Sequence, residues 1–106
     1  MASGFNGQQF CFHGYLPIDK KARSRKIKEL ESAAFSRNET QIFIETPYRN
    51  NQMLQALTQT MSDHSLLCVA SNLSTSEEVI ISQPVTKWKK MKIDLNKNPT
   101  VFLIYK

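Results

Sequence analysis

Apolar positions along this chain fall into short strand-like runs separated by two longer stretches of helical spacing. Phe10-Cys11-Phe12-His13-Gly14-Tyr15 reads as a first strand closing at Leu16-Pro17. Asp19 then stands where a carboxylate can accept the orphan amides of a first helical turn, so a helix is expected from there to about Phe35. Ile27, Leu30 and Ala34 fall on one stripe of it at i, i+3, i+7. After the exit loop Ser36-Arg37-Asn38-Glu39, residues 40–45 predict a second strand, in which Ile42, Phe43 and Ile44 form a run suited to burial on both faces. Helical spacing resumes from about Asn50 to Met61, with Met53, Leu54, Leu57 and Met61 on one side. Beyond a turn at 62–65, Leu66 to Ala70 predicts a third strand, residues 71–76 a polar loop and Glu77 to Ser82 a fourth strand, with Val79 and Ile81 on one face. Thr86 to Met91 predicts a short helix around Trp88, and Pro99 admits a last strand at 101–105.

Five strands and three helices with apolar strand runs predict an α/β fold: a single five-stranded mixed sheet with flanking helices. The expected core holds Ile42, Phe43, Ile44, Leu67, Val69, Phe102 and Ile104. Residues 1–9 are small and polar, and are expected to be a tail or the end of an interdomain helix, leaving 10–106 as the folded domain.

The segment with most chemistry is Glu45-Thr46-Pro47-Tyr48-Arg49, where the second strand must stop. Pro47 cannot donate to a ladder and biases Thr46 away from helix. A strand-to-helix turn at a sheet edge is where α/β proteins collect ligands. Arg49 offers a planar fork suited to phosphate or carboxylate. The competing reading is a turn in which Arg49 pairs with Glu45 and only fastens the backbone.

Length and charge narrow the rest. The 106 residues support one small domain with a single core, and a 41% hydrophobic share excludes wholesale disorder. A net charge of +5 permits a polyanionic partner without requiring one. Lys20, Lys21, Arg23, Arg25, Lys26 and Lys28 crowd one helix, and a second basic cluster of Lys87, Lys89, Lys90 and Lys92 surrounds Trp88. Either a solvated helix face or a phosphate-binding face fits the first; the second has the aromatic interleaving of nucleic-acid binders, although such a tryptophan more often anchors a short helix onto the sheet. No run approaches a membrane span and no secretory leader is recognisable, so the expected address is the cytoplasm. The glycosylation patterns at Asn38 and Asn72 are then coincidental. Cys11, His13, His64 and Cys68 are the conceivable zinc ligands, but core cysteines and ordinary histidines are the expected reading, and no metal is assigned. Glycines at 4, 7 and 14 form neither a dinucleotide nor a Walker loop, and no serine elbow is present.

Taken in order, Phe12-His13-Gly14-Tyr15-Leu16-Pro17, the basic helix, Glu45-Thr46-Pro47-Tyr48-Arg49, Leu67 to Asn72 and Pro99 to Leu103 resemble the C-terminal half of the tetrapyrrole methylase superfamily. The nearest likeness is to the branch that includes the ribosomal RNA small-subunit 2′-O-methyltransferase I. Members of that branch carry a Phe-x-Gly-Phe-Leu-Pro element, a Lys/Arg-rich helix and an acid–Ala–Pro–His–Arg turn. The resemblance extends from Ser3 to Tyr105. Thr46 and Tyr48 depart from the family's Ala and His, and Ala70-Ser71-Asn72-Leu73 from its Ala-Arg-Glu-Leu.

The resemblance implies a methyltransferase that binds S-adenosylmethionine between two α/β domains, works as a homodimer and acts on ribosomal RNA, this chain being the domain that follows a missing N-terminal one. By position, Glu45, Thr46, Pro47, Ala70, Ser71, Asn72, Pro99 and Thr100 would line the cofactor, and Tyr48 and Arg49 would face substrate. Lys20, Lys21, Arg23, Arg25 and Lys26 would meet RNA, and no catalytic base is assigned. The last two strands would run antiparallel to the others. A methylase of a tetrapyrrole or other small molecule, a stand-alone RNA-binding module and a dimerisation domain are the competing functions.

Overall fold

The structure, a computed structural model, describes residues 10–72 and 75–105. The tail expected over 1–9 lies outside them, as do two residues of the loop at 71–76. In chain order the elements are β1 (Phe10–Tyr15), α1 (Lys20–Ser36), β2 (Thr40–Ile44), a 3-10 turn (Pro47–Arg49), α2 (Asn50–Thr60), β3 (Leu66–Ser71), β4 (Val79–Pro84), α3 (Val85–Lys90) and β5 (Thr100–Tyr105).

The strands form one sheet in the order β1-β2-β5-β3-β4. β1 and β2 are parallel, and β5 is antiparallel to both β2 and β3, as β4 is to β3. β4 and β5 therefore oppose the other three, in agreement with the expected mixed sheet.

The first helix starts where a side chain can satisfy its opening amides. Asp19 caps α1, its Oδ2 accepting from the Ala22 amide at 2.9 Å. The helix ends as Arg37 N–H donates to the Ala33 carbonyl and Asn38 turns left-handed at φ 51°. Ile27, Leu30 and Ala34 are buried at the spacing read from the sequence. They pack with Met53, Ala56 and Leu57 of α2, Val85 and Trp88 of α3, and Phe43, Leu67, Val69, Phe102 and Ile104 of the sheet. Phe43 and Phe102 are cross-strand partners whose rings stack at 5.6 Å, the kind of aromatic pair that adds to area burial at a sheet centre. Burying side chains of this size stabilises by about 1.5–3 kcal/mol each.

The alternate residues of the same strands form a thinner cluster on the second face: Ile42, Cys68 and Leu103, flanked by partly buried Ile80, Val101 and Tyr105. Ile44, expected in the core, is only half-buried, because it is the last residue of β2 and opens onto the sheet edge. Two boundaries also differ from expectation. The fourth strand runs over Val79–Pro84 rather than 77–82, since the Thr75 hydroxyl bonds to the Asn72 carbonyl and receives the Glu77 amide, holding 75–78 in turns. Pro84 ends β4, an edge strand where a missing donor costs nothing. The short helix accordingly begins at Val85.

Candidate functional site

The carboxyl ends of β1, β2 and β3 and the start of β5 lie at one edge of the sheet, the edge where open α/β sheets bind ligands. A cleft of about 380 Å³ opens there. Its walls come from three chain segments: Ile44, Glu45 and Pro47 after β2, Ala70 and Asn72 at the end of β3, and Pro99, Thr100 and Val101 entering β5. Tyr15 and Thr75 complete the lining.

Each wall is fixed by local bonds. Buried Glu45 turns back on the chain, its Oε1 accepting the Thr46 amide at 2.7 Å. Pro47 opens a 3-10 turn that leads into α2, with the Arg49 amide donating to the Thr46 carbonyl. Asn72 is left-handed at φ 54°, and its amide donates to the Pro99 carbonyl at 2.9 Å, tying the second wall to the third. Thr100 Oγ1 bonds to Ser71 Oγ at 3.3 Å and to the Asn98 carbonyl at 3.0 Å.

The start of α2 holds the third wall from below, and the sequence did not suggest this. Asn50 is fully buried, and its Nδ2 donates to the Leu95 carbonyl at 3.1 Å and the Asn98 carbonyl at 2.7 Å. Asn51 Oδ1 accepts the Leu95 amide at 2.7 Å, while its own amide and side chain donate to Asn96 Oδ1 and Asp94 Oδ1. The Asn51 side chain, with the Asn96 amide, holds the Asp94 carboxyl below the usual carboxylate range. Lys97, at φ 69°, donates its amide to the Pro47 carbonyl. The Asn-Asn pair thus clamps 94–98 and sets Pro99 and Thr100 opposite Glu45. Its only sequence signal was two adjacent amides at a helix start.

Of the eight residues expected along the cofactor, Glu45, Pro47, Ala70, Asn72, Pro99 and Thr100 line this cleft. Thr46 and Ser71 belong to the same segments and bond to neighbouring groups instead. Tyr48 is 75% exposed and Arg49 half-buried beside the rim. The Arg49–Glu45 pair does not form: among the described residues the ion pairs are Lys26–Glu29 and Lys89–Asp63.

The expected nucleic-acid residues divide. Lys20, Lys21 and Arg25 are exposed, Arg23 is half-buried, and Lys26 leans on Glu29 at 3.6 Å. The second basic cluster loses its aromatic: Trp88 is buried, its Nε1 donating to the Leu67 carbonyl at 2.9 Å, so it fastens α3 to the sheet and cannot stack on a base. Lys89 bonds to Asp63, which lowers that carboxyl's pKa. Cys11 pairs in register with Gln41 on the helix side, whereas Cys68 belongs to the opposite cluster and two strands separate β1 from β3. No three His, Cys, Asp or Glu side chains gather for a metal among the described residues. Nor is any described helix long and apolar enough to cross a membrane.

A mixed sheet with helices on one face and a three-segment cleft at its carboxyl edge has the fold of known methyltransferases. The methyltransferase CobJ superimposes over 98% of this chain and 44% of its own, with a TM-score of 0.58 at 21% identity. Uroporphyrin-III C-methyl transferase from Thermus thermophilus, complexed with S-adenosyl homocysteine, matches 93% of this chain and 42% of its own, with a TM-score of 0.52 at 10% identity. No family model matches the chain. In sequence it is 32% identical over 107 residues to the ribosomal RNA small subunit methyltransferase I of Vibrio cholerae, and 31% identical over 80 residues to that of Bacillus subtilis. These alignments take in 98% and 76% of this chain but 36% and 26% of the relatives, so it spans about a third of their length. Over nearly its whole length the chain is therefore similar in sequence to ribosomal RNA small subunit methyltransferase I, and it shares its fold with the two methyltransferase structures.

Proposed function

We propose that the chain is the C-terminal domain of an S-adenosylmethionine-dependent methyltransferase acting on ribosomal RNA, and that its edge cleft is one wall of the cofactor site. The observation that carries this reading is the convergence of three separate segments, after β2, at the end of β3 and before β5, on one cleft at the carboxyl edge of the sheet. The lining fits the cofactor's chemistry. Ile44, Ala70, Pro47, Pro99 and Val101 offer apolar surface to an adenine ring, and Thr100 and Glu45 offer polar groups to a ribose or an ammonium. When bound, the cofactor supplies an electrophilic methyl on sulfur.

The protein's part is then in-line positioning, which lowers a barrier by several kcal/mol on its own. Arg49 and Tyr48, at the rim, face the substrate side, where the guanidinium holds a phosphate. The second wall comes from a preceding domain, and the working protein is a cytoplasmic homodimer. The thinly covered second face of the sheet, with exposed Phe10 and Phe12 beside Ile42, favours self-association of the isolated chain.

Half a cleft must meet the whole entropy cost of binding alone. Calorimetry on the 106-residue chain should therefore detect no micromolar binding of S-adenosylmethionine, and incubation with the tritiated cofactor and small ribosomal subunits should transfer no methyl group. Micromolar affinity or turnover by the isolated chain would overturn the two-wall reading.

A further inference from the structure

A second groove, of about 530 Å³, runs between α1 and α2. Lys20, Arg23 and Ser24 form one wall, and Gln52, Gln55 and Gln59 stand along the other. The glutamines share a face of α2 because they recur at i, i+3, i+7. No carboxylate of the described residues lines the groove. Arg23 Nε is buried there without a hydrogen-bond partner, a costly state for a guanidinium donor that an incoming acceptor would relieve. The cationic surface continues over the outside of α1, where Lys20 and Ser24 also border a shallower depression with Lys21, Arg25 and Lys28. Both helices start at the sheet edge that carries the cleft, α1 shortly after Tyr15 and α2 directly after the Pro47 turn.

Cations alone would suit any polyanion. The facing row of amides is what narrows the choice. A glutamine side chain donates and accepts at once, so it can bond to a sugar hydroxyl or to an unpaired base edge. A paired duplex hides those base edges, and DNA lacks the 2′-hydroxyl.

We propose that the α1–α2 groove binds single-stranded RNA, with Lys20 and Arg23 on phosphates and Gln52, Gln55 and Gln59 on 2′-hydroxyls and base edges. The proposal deepens the RNA part of the function above and takes its choice of polyanion from it, but it does not depend on cofactor binding. It also adds a reading element, α2, that the charge run on α1 does not reveal.

Fluorescence anisotropy of the 106-residue chain with fluorescein-labelled oligouridine and its deoxy counterpart tests it. The wild type should favour the ribo-oligomer. The double variant Lys20→Gln/Arg23→Gln should weaken binding about fivefold or more at low salt, and lower the slope of log K against log salt by about 1.4. Lys87→Gln/Lys90→Gln removes the same charge from α3 and should weaken binding by less than about twofold. Gln52→Ala/Gln59→Ala, at two exposed positions, should leave the slope unchanged and erode the preference for RNA over DNA. Lys20→Gln alone changes an exposed side chain and guards against a folding defect in the double variant. Equal losses from groove and α3 variants would overturn the proposal, as would equal affinity for the deoxy-oligomer or for duplex RNA, or no binding at all. Absence of RNA binding alongside cofactor contacts at the cleft would sink the groove and leave the cofactor wall standing.

Discussion

Replacing Asn50 with alanine removes the buried amide that holds the third wall of the cleft. Two hydrogen bonds are lost, at 3.1 and 2.7 Å, and each contributes about 1 kcal/mol net. Neither carbonyl is orphaned: Leu95 keeps the Asn98 amide and Asn98 keeps the Thr100 hydroxyl. The full penalty of an unsatisfied acceptor therefore does not apply. Against the loss stands a gain, because Asn50 Oδ1 is itself buried without a partner and its removal relieves about 1 kcal/mol. The void left by the shortened side chain costs about 1 kcal/mol more. The sum is a destabilisation of about 2 kcal/mol, or roughly 8–16 °C in Tm for a domain of this size. Asn50→Asp should cost more, since a buried carboxylate would face two carbonyl oxygens. Urea denaturation gives the energy, and amide hydrogen exchange should show faster opening at Leu95 and Lys97, whose bonds the clamp protects. A loss below about 0.5 kcal/mol with unchanged exchange at those amides would refute the clamp.

Further outcomes follow from the same geometry. Arg49→Lys and Glu45→Gln should not shift stability in concert, because the two side chains do not pair, and Arg49→Lys should stay within about 0.5 kcal/mol of wild type by denaturation; a larger coupled loss would make Arg49 a structural residue. Burial pushes the Cys68 thiol up to about 11, so the folded state keeps a proton that the unfolded chain releases above about 9. Stability should accordingly fall as pH rises from about 9 towards 11, and a Cys68→Ala variant should lose that part of the decline; parallel curves for the two proteins would contradict it. Gly14 sits at φ 70°, where the β1–β2 register shifts between Phe12 and Tyr15, with open space where a methyl group would stand, so Gly14→Ala should cost about 1–2 kcal/mol from backbone strain alone, with no effect implying that this irregularity relaxes freely.

The regular elements are legible because their apolar spacing is strong. Ile27, Leu30 and Ala34 announce α1, and Asp19 announces its start. The lining of the cleft is legible for a different reason: strand ends carry recognisable breaks, such as Pro47 and Pro99, and the family likeness puts them in order. Part of what escapes is governed by partners distant in sequence. Asn50 reaches across 48 residues to the Asn98 carbonyl, and no local pattern encodes that bond. The β4 boundary differs because the Thr75 hydroxyl bonds within its own loop. Ile44 reads as core because a β-branched run does not reveal where a sheet ends. Trp88 is different: a tryptophan so placed reads more often as the anchor of a short helix than as a base-stacking residue, and the Leu67 carbonyl does take its indole N–H.

That this domain supplies one wall of a cofactor cleft is tested most directly by titrating the isotope-labelled chain with S-adenosylhomocysteine and following its amide resonances. Shifts should be confined to the amides of Glu45, Thr46, Ala70, Ser71, Asn72, Thr100 and Val101, growing without saturation up to ~1 mM ligand, as expected of half a site. Saturation in the micromolar range, shifts gathered between α1 and α2 instead, or no shifts at all would contradict it.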